Sequence, residues 1–198
     1  MKAAQTAVIL IEFQNEFCNE EGKLHDVVKD EIYRQNTVEN ASKLAAAARE
    51  KGCLIIHCPF IFDAEWVDEN CVSGIIGDVK QGEAFIPGSW GAEIIDEIKQ
   101  HDADVVLAGK RALSAFTNTG LEQLLQQYDI KNVALSGFLS NVCVEASARS
   151  AYDLGYNVNV VKDATASGSQ ANQQYVEQEI YPILGGAKTV DEFIGDLV

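Results

Sequence analysis

Short runs of consecutive apolar residues alternate along the chain with longer stretches in which apolar residues recur every three or four positions. Ala7-Val-Ile-Leu-Ile11 is unbroken and rich in β-branched residues, the pattern of a strand buried on both faces. Similar runs predict strands at Cys53–Cys58, stopped by Pro59, and at Asp104–Ala108, Asn132–Ser136 and Val158–Val161, with a short sixth at Ala187–Thr189. Between them, Val38–Lys51 is alanine-rich and closed by Gly52, which predicts a helix with its C′ glycine. Gly91–Gln100 reads as a short helix, Val142–Leu154 as one closed by Gly155, and Ala171–Ile180 as one ended before Pro182. Thr119 with Glu122, and Thr189 with Glu192, have the spacing of capping boxes, each opening a further helix. Residues 60–90 carry Gly74, Gly77, Gly82, Pro87 and Gly88 and read as a long irregular connection.

Strand and helix alternate throughout. That order predicts an α/β fold: a three-layer α/β/α sandwich on a mostly parallel, Rossmann-like sheet of about six strands. With 198 residues and neither linker nor repeat, the chain is expected to form one domain spanning 1–198. In such sheets the chemistry lies beyond the carboxyl ends of the strands. Glu12, His57, Lys110 and the segment Gly137–Cys143 sit at those ends.

Composition narrows the field. The hydrophobic fraction of 47% and the charged fraction of 23% are those of an ordinary globular protein. The net charge of −15 argues against nucleic acid and anionic membranes as partners, because both reward clustered Lys and Arg. It does not describe the substrate, since a basic pocket can sit inside an acidic shell. The five cysteines, Cys18, Cys53, Cys58, Cys71 and Cys143, have irregular spacings and form no CxxC pair. No signal-peptide pattern or membrane-length apolar run is present, so a reducing cytoplasm and free thiols are expected.

The strand ends carry complementary chemistry. Glu12 directly follows the apolar run Ala7–Ile11, where an unpaired carboxylate would be costly. Lys110 follows the third strand. Cys143 opens a helix, with Ser140 or Asn141 as the expected N-cap, and the helix N-terminus favours a thiolate. A thiol, an ammonium and a carboxylate together make a nucleophile with a charge partner and a proton carrier. Taken singly, Glu12 also fits a structural ion pair, Lys110 a solvated charge and Cys143 a small core residue.

Three blocks extend this reading. They are Val8-Ile-Leu-Ile-Glu-Phe-Gln-Asn-Glu-Phe17, Gly109-Lys-Arg-Ala-Leu-Ser-Ala-Phe-Thr-Asn-Thr-Gly-Leu121, and Leu135-Ser-Gly-Phe-Leu-Ser-Asn-Val-Cys143 continuing through Tyr156 to Ala164. In order and spacing the chain resembles the isochorismatase-like cysteine hydrolases, which include nicotinamidases and carbamoylsarcosine hydrolases. The resemblance implies Cys143 as nucleophile, Lys110 and Glu12 as the other members of a triad, and a thioester intermediate. It also implies a cis peptide at Phe138–Leu139, with the N–H groups of Leu139 and Cys143 as oxyanion donors.

Two features depart from the family pattern. The triad acid is usually Asp, and Glu12 is one methylene longer; Glu16 is likewise Glu. Only His57 lies where the nicotinamidase branch has its metal-binding histidines, so no metal and no cofactor are expected. Hydrolysis of a C–N bond, amide or carbamoyl, in a small molecule is the implied activity, with a homo-oligomer as the implied assembly. Phe13, Phe17, Trp90, Phe116 and Leu139 are expected to line the substrate pocket, with Trp66, Phe85 and Trp90 at a pocket edge or subunit contact. A redox-active thiol, with Cys18 as resolving partner, and a silent binding member of the family remain as alternatives.

Overall fold

The computed structural model describes residues 1–65, 73–98 and 100–198. Six parallel strands form one sheet: β1 (Thr6–Ile11), β2 (Leu54–Cys58), β3 (Val105–Val106), β4 (Asn132–Phe138), β5 (Asn157–Ala166) and β6 (Ala187–Lys188). Their order is β3-β2-β1-β4-β5-β6. The chain reverses its winding direction between β1 and β4, and open sheets of this kind bind ligands at that reversal.

Every residue of β1 is buried. Val8 and Leu10 join one core with Val28, Ile32, Leu44 and Phe193. Ala7, Ile9 and Ile11 join the other with Leu121, Leu125, Ala148 and Tyr181. Two cores, one on each face of the sheet, make the three-layer sandwich that the alternation predicts. Each large aliphatic side chain so buried stabilises the fold by about 1.5–3 kcal/mol, which explains why β1 is apolar from Ala7 to Ile11.

Helices cover both faces: α1 (Asn15–Cys18), α2 (His25–Gln35), α3 (Thr37–Glu50), α4 (Gly74–Gln81), α5 (Leu121–Gln127), α6 (Glu145–Asp153), α7 (Gln170–Tyr175) and α8 (Val190–Gly195). The Thr189–Glu192 capping box is present at α8. At α5 the expected box does not form. Gly120, in the left-handed region, takes the N-cap position, while Thr119 Oγ1 donates to Ala115 O and accepts from Leu121 N.

Gly91–Gln100 is not one helix either. The described residues there form 3-10 turns at Trp90–Ala92 and Asp96–Ile98. The reason lies in the backbone around residue 94. Asn15 N donates to Glu93 O and Ile95 N to Phe13 O, so these groups are committed across space rather than along a helix. Within the stretch read as irregular, the structure adds α4. It also adds α2, joined to α3 through Asn36 at φ 53°.

β4 runs two residues further than its apolar pattern suggests and ends at Phe138. Gly137 makes this possible. Its φ is +124°, and a Cβ there would lie 1.9 Å from Ile11 O. The reversal point brings two backbones too close for any side chain.

Candidate active site

Three strand ends converge here. β1 ends in Glu12, whose φ of 59° turns the backbone into the left-handed region while its N–H donates to Cys58 O. Holding a non-glycine residue there costs on the order of 1–3 kcal/mol and is common at functional positions. Lys110 is placed by its backbone: its N–H donates to Pro59 O, and its carbonyl accepts from Ile61 N. Cys143 lies in a π-helical turn, Ser140–Val144, that precedes α6. Leu139 O accepts from both Val142 N and Val144 N, which widens that turn. Widened turns of this kind are frequent at functional sites. The peptide Phe138–Leu139 is cis, as the resemblance implied.

Gln14 fixes the geometry around Glu12. Its amide nitrogen donates to Phe60 O at 2.8 Å and Ala92 O at 2.7 Å, and its oxygen accepts from Phe60 N at 2.7 Å. Ser147 fixes the lysine loop to the nucleophile helix. Its hydroxyl donates to Cys143 O at 2.6 Å and accepts from Ala115 N at 2.9 Å. Neither residue stood out in the sequence. The available signal for Gln14 was its place two residues after the strand-end acid, inside the block Val8–Phe17 that carries the family resemblance.

Lys110 Nζ stands 2.5 Å from Glu12 Oε1, with both side chains buried. The approach is close but poorly aligned as a hydrogen bond, and among the described residues Glu12 Oε1 has no other donor. The same ammonium donates to Cys143 Sγ at 3.4 Å and to Ala112 O at 2.8 Å, and lies 4.9 Å from the Phe60 ring centre. Glu12, Lys110 and Cys143 are thus brought together.

Burial pushes the Cys143 thiol up to about 12, and the Glu12 charge adds to this, outweighing the opposing pull of Lys110. Burial therefore opposes the thiolate that a helix N-terminus favours. Ser140 does not cap a helix; its hydroxyl donates to Gln173 Oε1 at 2.6 Å, and no side-chain cap bond is made at the turn. Burial works against the Lys110 charge, yet Glu12 and the nearby cysteines raise its pKa.

Glu12 and Cys143 line a pocket of about 230 Å³ with Phe17, Phe85 and Leu139; helix α4 contributes Ile76, Asp78 and Val79. Lys110 is not among its lining residues and lies behind the other two. Of the aromatic residues expected at the pocket, Phe17 is there and Phe85 joins it. Phe13 is buried against Phe138, 5.1 Å between ring centres. Phe116 packs on Tyr156 at 6.2 Å. Trp90 is exposed on a separate shallow surface, and Trp66 lies outside the described residues.

Glu16 serves structure: its carboxylate accepts from Lys23 N at 2.8 Å and Phe85 N at 3.2 Å. His57 Nε2 meets Asp104 Oδ2 at 3.1 Å, and Asp104 also takes two bonds from Arg49. Burial lowers the His57 pKa more than Asp104 raises it. No group of three His, Cys, Asp or Glu side chains among the described residues is arranged to hold a metal. Cys18 lines another pocket, apart from Cys143; Cys71 lies outside the described residues. The helix signal at α4 was masked by Gly74 and Gly77, although Ile75, Ile76 and Val79 have helical spacing.

Fold and site together define an α/β protein with a cysteine, a lysine and a glutamate at the sheet's reversal point. An isochorismatase domain model matches residues 6–191, and the chain belongs to that family. Ureidoacrylate amidohydrolase RutB of Agrobacterium fabrum is 28% identical over 98% of this chain and 91% of its own length. The N-carbamoylsarcosine amidase of Thermoplasma acidophilum superposes with a TM-score of 0.74 at 26% identity, covering 97% of this chain and 98% of that one. A cysteine hydrolase of Pseudomonas syringae has the same fold, with a TM-score of 0.82, 24% identity, and 98% and 93% covered.

Proposed function

We propose that this chain hydrolyses a C–N bond, amide or carbamoyl, of a small molecule through Cys143, Glu12 and Lys110. The observation that carries the reading is the placement of a cysteine and a carboxylate on one small pocket, with a lysine behind them that pairs with Glu12 and donates to Cys143 Sγ. The names of the amidohydrolase and amidase relatives agree with it.

The steps follow from the charges. Substrate binding brings a carbonyl carbon to Sγ. Glu12 takes the thiol proton as the C–S bond forms, so no free thiolate need accumulate. The oxyanion is held by the N–H groups of Leu139 and Cys143. Glu12 then gives its proton to the leaving nitrogen, the C–N bond breaks, and a thioester remains. Glu12 next deprotonates water, which attacks the thioester; sulfur leaves and regains the proton. Lys110 keeps its charge throughout and orients the carboxylate and the sulfur. No metal or cofactor enters these steps.

The deciding experiment is Cys143→Ala assayed against a panel of small amides. Turnover is expected to fall by at least about a thousandfold with the fold intact by circular dichroism. Retained hydrolysis removes Cys143 from the reaction. Binding without turnover in the unsubstituted chain makes it a silent member of the family.

A further inference from the structure

The pocket differs in charge from what a carboxylate-bearing substrate needs. Its lining holds two carboxylates, Glu12 and Asp78, and no Lys or Arg among the described residues. Lys110 lies behind the lining and is taken up by Glu12, Cys143 and Ala112 O. Its charge offsets that of Glu12, which leaves Asp78 in excess. Lys23, next to Leu24 of the lining, donates to Glu83 O, and Arg111 pairs with Asp63 at 3.2 Å. Residues 52–79 contain no Lys or Arg at all. The remaining lining is apolar, chiefly Phe17, Phe60, Phe85, Leu139, Ile76 and Val79.

A carboxylate entering such a space loses its hydration without gaining a cation, and meets Asp78. An apolar chain loses nothing there, and an ammonium gains a partner. From this we infer that the pocket selects amides whose acyl group is apolar and either uncharged or cationic, turns acids away, and uses Asp78 to set that preference. The inference rests on the amidohydrolase reading and deepens it. It separates this chain from the amidohydrolase relative, whose named substrate, ureidoacrylate, is an acid.

The test uses Cys143→Ala and three amides of matched length: hexanamide, 6-aminohexanamide and adipamate. Affinities are measured by isothermal titration. Hexanamide and 6-aminohexanamide are expected to bind at least about tenfold more tightly than adipamate, the effect of one nearby charge at a partly exposed site. Adding Asp78→Asn is expected to close most of the gap between the cationic and anionic amides, and Asp78→Lys to reverse it. Equal binding of adipamate and hexanamide overturns the inference. So does an unchanged gap in Asp78→Asn, or the lack of saturable binding by all three. Hydrolysis of hexanamide by the unsubstituted chain is scored separately. Binding in the expected order without hydrolysis sinks the hydrolase reading and leaves the charge preference standing.

Discussion

Lys110 Nζ and Glu12 Oε1 meet at 2.5 Å where neither side chain is more than 4% exposed. A pair this deep is not a gain in stability by itself, because desolvation offsets the attraction; breaking it, however, strands a buried charge. Lys110→Met is therefore expected to lower unfolding free energy by about 3–5 kcal/mol, read from urea melts. The double variant Glu12→Gln with Lys110→Met is expected to regain most of that loss and none of the activity. A single variant as stable as the parent contradicts the pairing.

The length of Glu12 matters in opposite ways for stability and catalysis. At φ 59°, Asp is better tolerated than Glu, so Glu12→Asp is expected to leave stability unchanged or slightly raised. Its carboxylate is drawn back toward the backbone, and kcat/KM is expected to fall about 100-fold. Glu12→Gln keeps the length and loses the proton carrier, for a drop of about 10²–10⁴. An Asp variant with full activity means that reach is not what the site requires.

Alkylation of Cys143 reads its proton directly. With the thiol pushed up to about 12, its rate with iodoacetamide is expected to climb from pH 7 to pH 10 without a plateau. Glu12→Gln removes a negative neighbour and leaves Lys110, so the pKa falls and alkylation at pH 8 speeds up while hydrolysis fails. Peptide mapping is needed because Cys18, Cys53 and Cys58 are also free thiols. A plateau below pH 8 in the parent shows a pre-formed thiolate instead.

Acid stability tests the network under β2. Burial opposes the Asp104 charge, but Arg49, the His101 N–H and His57 together hold its carboxyl down to about 2. A carboxyl lowered in the folded state stabilises fully above its ordinary value, near 4, and that stability is lost as pH falls toward 2. Asp104→Asn is expected to lose about 3 kcal/mol at pH 7. The difference from the parent should shrink steadily below pH 4. A difference constant with pH rules out the charge as its source.

Much of this was legible along the chain. Ala7–Ile11, short and rich in β-branched residues, has the pattern of a doubly buried strand, and a carboxylate at its end is costly unless paired or functional. The Thr189 and Glu192 spacing fixed a local cap because both partners lie within one turn. The same spacing failed at Thr119, where Gly120 took the cap position and Thr119 Oγ1 bonded Ala115 O instead. The expected aromatic lining failed similarly. Phe13 and Phe17 share a segment and an apolar character, and both pack on Phe138, at 5.1 and 5.4 Å between ring centres, yet only Phe17 lines the pocket, which the tertiary packing alone decided.

The sequence by itself determined the six strands, several of the helices, and the positions of Glu12, Lys110 and Cys143 at strand ends, because these depend on periodicity and on the cost of burying charge locally. The tertiary structure decided the strand order, hence that β1 lies beside β4 and that residues 12, 110 and 143 converge. It also decided that Lys110 stands behind the pocket, that α4 and Asp78 line it, and that burial raises the pKa of the thiol. These depend on contacts between residues far apart in the chain, and on burial that only the assembled layers create.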